Sequence, residues 1–350
     1  MDKRIEKILA GIVHPETGLS LLEGGFVESS EVSDTDAKIT LVFPKSRDPF
    51  INSIRRRLKK SIEDTLDLPA TIIVKENPAR KQAAPEMPEH ATAEVKNIIA
   101  IASGKGGVGK STVTANLAVM LASAGYRVGI LDSDIYGPSQ PKMFGTEGFV
   151  PEVHMRNGKE VMAPAENYGV KVMSIGYFIK PEDALVWRGP MATNALRQLI
   201  HQTEWGKLDW LLVDLPPGTG DVHLTILKEL KVDGAVIITT PQQVSVADAL
   251  RAVGMFGGKG IEIPVIGIVE NMAWFTPQEL PCNRYYIFGS GGGRALAEKV
   301  NVDFLGEIPI MMSVMQGGEE GRPDSLVSGF SEPYYREIME KIVKKYTSGS

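Results

Sequence analysis

A glycine-rich nonapeptide between two apolar segments restricts this chain to very few folds. Residues 104–112 read Gly-Lys-Gly-Gly-Val-Gly-Lys-Ser-Thr, after the apolar run 97–103 and before apolar residues at helical spacing. The pattern predicts a buried strand, a tight loop and a helix whose first amides point into the loop. Glycines allow backbone N–H groups to converge where a Cβ would obstruct them. The spacing of its glycines, lysine and serine matches a phosphate-binding loop.

Each residue type in this loop has a chemical use. We expect Lys110 to place its charge on the β- and γ-phosphates of a nucleotide, and the Ser111 hydroxyl to bind Mg²⁺. The loop residues expected to touch the nucleotide are Gly104, Lys105, Gly106, Gly107, Val108, Gly109, Lys110, Ser111 and Thr112.

A second lysine, Lys105, follows the first glycine, although Lys110 already serves the phosphates. Such a lysine can reach the phosphates of a facing subunit and act like an arginine finger. The arrangement resembles the deviant Walker A ATPases, the class that contains MinD, ParA, the nitrogenase iron protein and the Mrp/ApbC proteins. The resemblance implies an ATP-dependent homodimer in which Lys105 is the signature catalytic lysine. A solvated surface lysine is the alternative.

The composition is that of an ordinary globular protein. The 350 residues are 43% hydrophobic and carry a net charge of −5, which argues against non-specific binding to nucleic acid. No stretch approaches the roughly 18 consecutive apolar residues of a membrane span, and the first residues lack the apolar core of a secretion signal. A single cysteine, Cys282, excludes an intrachain disulfide. We expect a cytoplasmic protein without nucleic-acid or membrane partners.

Composition and periodicity divide the chain into three parts. Residues 1–76 combine helical and strand patterns and predict a small α+β domain. Residues 77–95 contain three prolines without apolar periodicity, which is typical of an extended linker. In residues 96–346, strands and helices alternate, so we expect an α/β domain with a doubly wound, mostly parallel sheet.

Residues 14–27 resemble the small SufT-like domain of iron–sulfur assembly proteins. Those domains usually carry Asp-Pro-Glu where this chain has His14, Pro15 and Glu16. The resemblance implies that the first domain works in iron–sulfur assembly; a purely structural turn is the alternative for this segment.

Acidic residues close two of the predicted strands. Asp132 ends the strand at 127–132 and Asp134 follows two residues later, and Asp214 closes the strand at 208–214. Because ligands of parallel sheets bind at the carboxyl ends of strands, we expect all three near the phosphates. Asp214 is expected to hold Mg²⁺. By resemblance, the first pair forms switch I, with Asp134 orienting the attacking water and Asp132 near the metal; an Asx turn is the alternative.

Two further segments complete the predicted nucleotide site. Residues 215–221 resemble the switch II loop of the Mrp/ApbC proteins, in which the N–H groups of Gly218 and Gly220 face the γ-phosphate. Asn271 ends a later strand, and its amide can read adenine; a simple turn residue at the strand end is the alternative. No guanine-reading Asn-Lys-x-Asp sequence occurs there, so we expect ATP. By resemblance, Pro309 lines the base.

Four segments together narrow the resemblance to the Mrp/ApbC iron–sulfur cluster carrier ATPases, over nearly all of residues 96–340. These segments are 132–139, 187–191, 214–221 and 270–272. The resemblance implies an ATP-hydrolysing homodimer that transfers clusters to apoprotein clients and works with iron–sulfur assembly proteins.

The chain departs from that family at the cluster motif. The family usually carries a Cys-x-x-Cys pair, and two subunits pool four thiolates around a [4Fe–4S] cluster. Here only Cys282 is present, so a dimer offers two thiolates. The resemblance implies iron–sulfur ligation by Cys282, and an incidental loop thiol is the alternative.

Two other functions fit the same sequence. A positioning switch like MinD or ParA would act through membrane or protein partners, using residues 334–346 as a basic amphipathic helix; a helix packed on the core is the alternative. An ATP-gated scaffold without metal handling would explain the missing cysteine pair.

Overall fold

The computed structural model describes residues 3–12, 14, 20–33, 35–43, 51–76, 91–156, 159–178, 189–258, 260–277, 279–324 and 330–347. The chain divides into two compact units, Met1–Glu89 and His90–Ser350. This boundary falls within the segment predicted as a linker, most of which lies outside the described residues.

The first unit is a small α+β domain. Its elements are α1 (Lys3–Ala10), β1 (Val27–Val32), β2 (Ala37–Phe43), α2 (Ile51–Leu66) and β3 (Ala70–Glu76). The strands form one sheet in the order β1-β2-β3, in which β1 is antiparallel to β2 and β3 is parallel to it. Apolar residues at helical spacing, such as Ile5, Leu9 and Leu58, are fully buried against this sheet.

The segment that resembles a SufT-like domain is only partly described. His14 is buried and stacks on Phe26, with ring centroids 4.9 Å apart, whereas Pro15 and Glu16 lie outside the described residues. His14 therefore contributes to the core of the first unit.

The second unit is built on an eight-stranded sheet. Its strands are β4 (Val95–Ser103), β5 (Val128–Asp132), β8 (Ala165–Asn167), β9 (Val170–Ser174), β10 (Leu208–Asp214), β11 (Gly234–Thr239), β12 (Val265–Phe275) and β13 (Phe304–Ile310); β6 (Val153–Arg156) and β7 (Lys159–Met162) form a separate hairpin. The order is β13-β12-β11-β4-β10-β5-β9-β8, and only β8 runs antiparallel to its neighbour. The predicted mostly parallel sheet is confirmed.

Helices cover both faces of this sheet. They are α3 (Lys110–Ser123), α4 (Gln140–Met143), α5 (Gly189–Gln202), α6 (Asp221–Glu229), α7 (Gln243–Phe256), α8 (Gly292–Val300), α9 (Met312–Glu319) and α10 (Glu332–Thr347). Along β4, Ile98 and Ala100 pack in the core beneath α5 to α8, whereas Ile99 and Ile101 pack in the core beneath α3 and α10. This alternation explains why every residue from 98 to 102 in this strand is apolar.

The C-terminal helix α10 packs on the core. Its apolar residues Tyr335, Ile338, Met339 and Ile342 are buried against α3 and β13. The ammonium group of Lys341 on its basic side donates to the sheet carbonyl of Leu305 at 2.8 Å. The face that a membrane would need is thus already covered. Within the described helices, none combines the length and hydrophobicity required to cross a bilayer.

Candidate functional site

The predicted phosphate-binding loop connects β4 to α3 at the carboxyl edge of the sheet. Gly107 and Gly109 both have φ of 79°, a left-handed conformation that favours glycine. The loop surrounds a cavity of about 180 Å³, lined by residues 105–112 together with Ser103, Asp134 and Pro217. A helix N-terminus directed into such a cavity is a ready-made anion site.

Gly104 is required by close packing. A Cβ at this position would lie 2.1 Å from the carbonyl carbon of Asp248 and 2.5 Å from the amide nitrogen of Ala249, both in the backbone of α7. Gly106 differs, because the nearest atom to its Cβ would be the side chain of Pro217 at 3.9 Å. The absence of a side chain at Gly104 therefore allows the loop to pack directly against α7.

Lys110 and Asp214 form a buried ion pair at the base of the cavity. The Lys110 Nζ lies 2.5 Å from Asp214 Oδ1, and the two side chains are 6% and 0% exposed. The same ammonium group lies 3.1 Å from the Ser111 hydroxyl, and Thr114 also donates to Asp214 Oδ1 at 3.3 Å. The structure thus brings together the three side chains predicted to bind the phosphates and Mg²⁺.

The two other predicted carboxylates lie in the same region. Asp132 is fully buried and accepts hydrogen bonds from the Ser174 hydroxyl at 2.9 Å and the Gln140 backbone amide at 3.1 Å. Burial, together with the nearby negative charge of Asp214, raises the pKa of Asp132 to about 7. Asp134 borders the cavity, and burial raises its pKa as well.

Lys105 lies at the rim of the cavity and is half-buried. Among the residues that the structure describes, no carboxylate pairs with it. Its carbonyl oxygen accepts a hydrogen bond from the Ser103 hydroxyl at 2.9 Å, which fixes the backbone and leaves the ammonium group unconstrained. Its role across a dimer stays a prediction.

In the switch II-like segment, residues 215–221, two backbone amides have other hydrogen-bond partners than predicted. The N–H of Gly218 donates to Ser103 O at 3.0 Å, and that of Gly220 donates to His223 Nδ1 at 3.1 Å. Both groups therefore have protein partners in this conformation instead of facing the cavity. To meet a phosphate, the segment must rearrange.

His223, which sequence reasoning missed, secures this segment. Its ring is buried, with Nδ1 accepting from the Gly220 amide and Nε2 donating to Pro216 O at 2.8 Å. Burial lowers the pKa of His223, so the neutral ring that this pattern requires is favoured. The only sequence signal was a histidine nine residues after Asp214.

Gln140, also missed, connects the predicted switch I to the rest of the site. Its side-chain amide nitrogen donates to Asp214 Oδ2 at 2.8 Å and to Ser111 O at 3.1 Å. The residue is fully buried at the start of α4, directly after the loop that carries Asp134. No spacing rule indicated this residue.

The predicted base-binding residues lie along the same edge of the sheet. The Asn271 side-chain amide nitrogen donates to Val108 O at 2.8 Å, so it supports the phosphate-binding loop from behind. Pro309 is buried near the end of β13. The structure therefore gives Asn271 a supporting role, and contact of either residue with adenine stays a prediction.

Cys282 lies apart from this buried cluster. It is exposed, in an excursion that leaves β12 and returns through a bridge between Phe275 and Tyr285. Glu270 secures the far end of the excursion by accepting from the amides of Gly291 and Gly293. Among the described residues, no group of three or more His, Cys, Asp or Glu side chains could hold a metal ion.

One segment of the predicted family pattern lies partly outside the described residues. Trp187 and Arg188 in the segment 187–191 lie outside the described residues, as do the side chains of the remaining three.

A parallel sheet whose glycine-rich loop encloses a cavity above a buried lysine–aspartate pair defines a P-loop NTPase. Residues 94–347 match the model of the NUBPL iron-transfer P-loop NTPase family, and this chain belongs to that family. Residues 2–72 match the model of an iron–sulfur cluster assembly protein. The two matches confirm the resemblances predicted for both parts of the chain.

Individual relatives agree with this assignment. The chain is 42% identical over 316 residues to the iron-sulfur cluster carrier protein of Synechocystis, covering 90% of this chain and 89% of that protein. A nucleotide-binding protein from Archaeoglobus fulgidus, solved in complex with ADP, is 39% identical with a TM-score of 0.58, covering 67% of this chain and 90% of that one.

A more distant likeness concerns the fold alone. The septum site-determining protein MinD from Pyrococcus horikoshii, complexed with Mg-ADP, is 22% identical with a TM-score of 0.54, covering 73% of this chain and 99% of that one. MinD is therefore only a distant relation. The likeness shows a shared fold and does not support a MinD-type positioning function.

Proposed function

We propose that this chain is a homodimeric, cytoplasmic ATPase that delivers iron–sulfur clusters to apoprotein clients. The observation that carries the proposal is the cavity at residues 105–112, where backbone amides, the buried pair of Lys110 and Asp214, and Asp134 meet. Two relatives support it, because one is named a cluster carrier and the other was solved with ADP. Iron–sulfur assembly proteins are the expected source of the clusters.

Nucleotide binding requires Lys110 to change partners. In the structure its ammonium group is held by Asp214 at 2.5 Å. Phosphate oxygens at the N-terminus of α3 would compete for the same charge. When Lys110 turns to the phosphates, Asp214 loses its cation, and among the described residues Oδ1 keeps only the hydrogen bond from Thr114.

The residues around Ser111 fit a magnesium ion. The Ser111 hydroxyl and the carboxylates of Asp132 and Asp214 are hard oxygen donors, which Mg²⁺ prefers. The carboxylates disfavour one another's charge, which a divalent cation would relieve. The buried Gln140 Oε1 has no hydrogen-bond partner among the described residues. When bound, Mg²⁺ would neutralise charge on the β- and γ-phosphates.

Asp134 and Lys105 are the proposed residues for hydrolysis itself. Asp134 borders the cavity, and its raised pKa suits a carboxyl that accepts hydrogen bonds from, and orients, an attacking water. Lys105 would stabilise charge on the γ-phosphate of the partner subunit, which makes turnover depend on dimerisation. Asn271 and Pro309 are proposed to line the adenine.

The cluster is cargo, and this chain offers one thiolate per subunit for it. The exposed position of Cys282 suits transient ligation and hand-over. Because a [4Fe–4S] cluster is normally held by four thiolates, we propose that a client protein or glutathione completes the set.

Calorimetry with magnesium and ATP tests the nucleotide site. Wild type is expected to bind and hydrolyse ATP, whereas Lys110→Ala is expected to show no heat of binding and no turnover. Lys96→Ala is the matched control, because it removes an exposed lysine of the same unit, paired with Asp209 at 2.9 Å. Near-normal hydrolysis by Lys110→Ala, with folding checked by circular dichroism, would remove the proposed site.

Anaerobic reconstitution tests the cargo. Wild type with glutathione or an apoprotein client is expected to retain iron and sulfide and pass them on, and Cys282→Ser is expected to retain neither. If wild type takes up no cluster under any of these conditions while it hydrolyses ATP, the protein is an ATP-gated scaffold instead of a carrier.

A further inference from the structure

The side chain of Gln140 lies between the residues that are proposed to hold Mg²⁺. It is 0% exposed. Its amide nitrogen donates to Asp214 Oδ2 and Ser111 O, and its backbone amide donates to Asp132 Oδ2. One residue therefore contacts all three positions that are proposed to hold Mg²⁺.

The same side chain carries an unpaired acceptor. Gln140 Oε1 is buried and has no hydrogen-bond partner among the described residues. A rotated amide would not solve this, because it would direct the oxygen at two other acceptors, Asp214 Oδ2 and Ser111 O. A buried acceptor without a partner destabilises the folded state. The neighbours of Gln140 thus fix the orientation of its side-chain amide and leave Oε1 without a donor.

Geometry places this oxygen close to one of the carboxylates that are proposed to hold Mg²⁺. Oxygen and nitrogen of one planar amide are about 2.3 Å apart, so Gln140 Oε1 lies no more than about 5 Å from Asp214 Oδ2. Mg²⁺ gives up its water reluctantly and usually keeps several bound waters. A water bound to Mg²⁺ beside Asp214 would place a hydrogen-bond donor within this distance.

We propose that Gln140 is a positioning residue that accepts a hydrogen bond, through Oε1, from a water bound to Mg²⁺ while its NH₂ group holds Asp214. This inference rests on the proposed nucleotide function. It also links the metal to the segment after Asp134, because α4 begins at Gln140 itself. Bound metal would therefore help to order this segment.

Metal-dependent nucleotide binding tests this role without relying on turnover. ADP affinity is measured by calorimetry in EDTA and at stepped free Mg²⁺ concentrations, for wild type and Gln140→Leu. Residues that hydrogen-bond to the ligands of a metal typically change the metal affinity 10–100-fold. We expect the Mg²⁺ midpoint of Gln140→Leu to rise by about that factor, with ADP affinity in EDTA within about twofold of wild type.

Asn167→Leu is the matched control. Asn167 donates its amide to Phe144 O at 2.8 Å, just after the last residue of α4, and touches none of the carboxylates of the site. It should leave the Mg²⁺ midpoint unchanged. An equal shift in this variant would show that displacement of α4 is responsible and would overturn the proposal.

The remaining outcomes also decide the question. If Gln140→Leu does not fold, Gln140→Asn keeps the amide but withdraws it by one methylene, and it should raise the midpoint too. A wild-type midpoint in either folded variant means that an ordinary buried water satisfies Oε1, and the proposal fails. A wild type whose nucleotide affinity ignores Mg²⁺ would instead contradict the proposed function.

Discussion

The nucleotide site and the Cys282 excursion differ most in what surrounds their reactive groups. Lys110 and Asp214 are 6% and 0% exposed and hold each other by charge. Cys282 is exposed, and its neighbours Leu280 and Tyr286 are 47% and 50% exposed. The first site has its phosphate and metal residues within one chain and takes only the proposed Lys105 from a facing subunit, whereas the second has one thiolate and an open apolar surface.

This difference separates two kinds of chemistry. Phosphate chemistry depends on charges fixed in place before the ligand arrives, so its residues are buried and mutually bonded. Cluster transfer requires that a ligand set be assembled and then released, so an accessible thiolate is an advantage. We therefore expect substitutions in the nucleotide site to change folding and catalysis strongly. Substitutions in the Cys282 excursion should change only cluster binding.

Lys105→Ala should have the largest effect on turnover among the exposed or half-buried positions. A cation supplied by a facing subunit is worth about 10³-fold or more in phosphoryl transfer. ATP affinity should change little, because Lys110 remains. Single-turnover hydrolysis measured across a range of protein concentrations checks both points.

The same experiment contains its control. Lys105→Arg retains the charge and should recover part of the rate. If Lys105→Ala hydrolyses ATP at the wild-type rate at every protein concentration, Lys105 is only a surface charge.

Gly104→Ala should be the next largest effect, and it acts on stability. The new methyl group would lie 2.1 Å from the backbone of Asp248, so α7 or the loop must move. Overpacking of this kind typically costs about 1–3 kcal/mol. Urea unfolding without nucleotide measures the loss.

Gly106→Ala is the comparison variant for that experiment. Its methyl group would meet nothing closer than Pro217 at 3.9 Å, so its free energy of unfolding should stay within about 0.5 kcal/mol of wild type. Equal losses in the two variants would show that the contact between Gly104 and α7 is not responsible.

The sequence predicted those parts of the fold whose pattern is local. Strands β4 and β10 were recognisable because burial on both faces makes their central residues apolar. Strand β1, with the sequence Val-Glu-Ser-Ser-Glu-Val, was missed because it is a largely exposed edge strand. The hairpin of β6 and β7 was missed as well, since β6 is exposed at every position.

The predicted site shows the same limit. The loop, Asp132 and Asp214 follow from motifs and strand ends, and the structure brings them together. Gln140 and His223 did not follow, because their importance lies in contacts with Asp214 and Pro216 that no periodicity encodes. Asn271 was predicted from its place at a strand end, but its contact with Val108 O is visible only in three dimensions.

Protonation of His223 should have a smaller effect, which acts on the free energy of unfolding. Its pKa lies below the ordinary value near 6.5, chiefly because of burial. Lys110 nearby lowers it further, whereas Asp134 and the hydrogen bonds from its own segment oppose the shift. The stabilising contribution of the neutral ring is therefore complete above about pH 6.5 and is lost as the pH falls below it.

The measurement compares wild type with His223→Gln, which does not titrate. Between pH 7.5 and 5.5, wild type should lose about 1 kcal/mol more in free energy of unfolding than the variant, the value of one hydrogen bond. Identical pH profiles for the two proteins would show that the neutral ring does not stabilise the switch II-like segment.

Cys282→Ser should have the smallest effect on the folded protein and completes the comparison. The thiol is exposed, and the excursion that carries it is held elsewhere, by the bridge between Phe275 and Tyr285 and by Glu270. The free energy of unfolding should therefore stay within about 0.5 kcal/mol of wild type, with unchanged ADP affinity. A loss of more than about 1 kcal/mol, or weaker nucleotide binding, would mean that the thiol supports the fold. Cluster transfer would then have to be sought at another group, because a thiol that the fold requires cannot bind and release a cluster at each cycle.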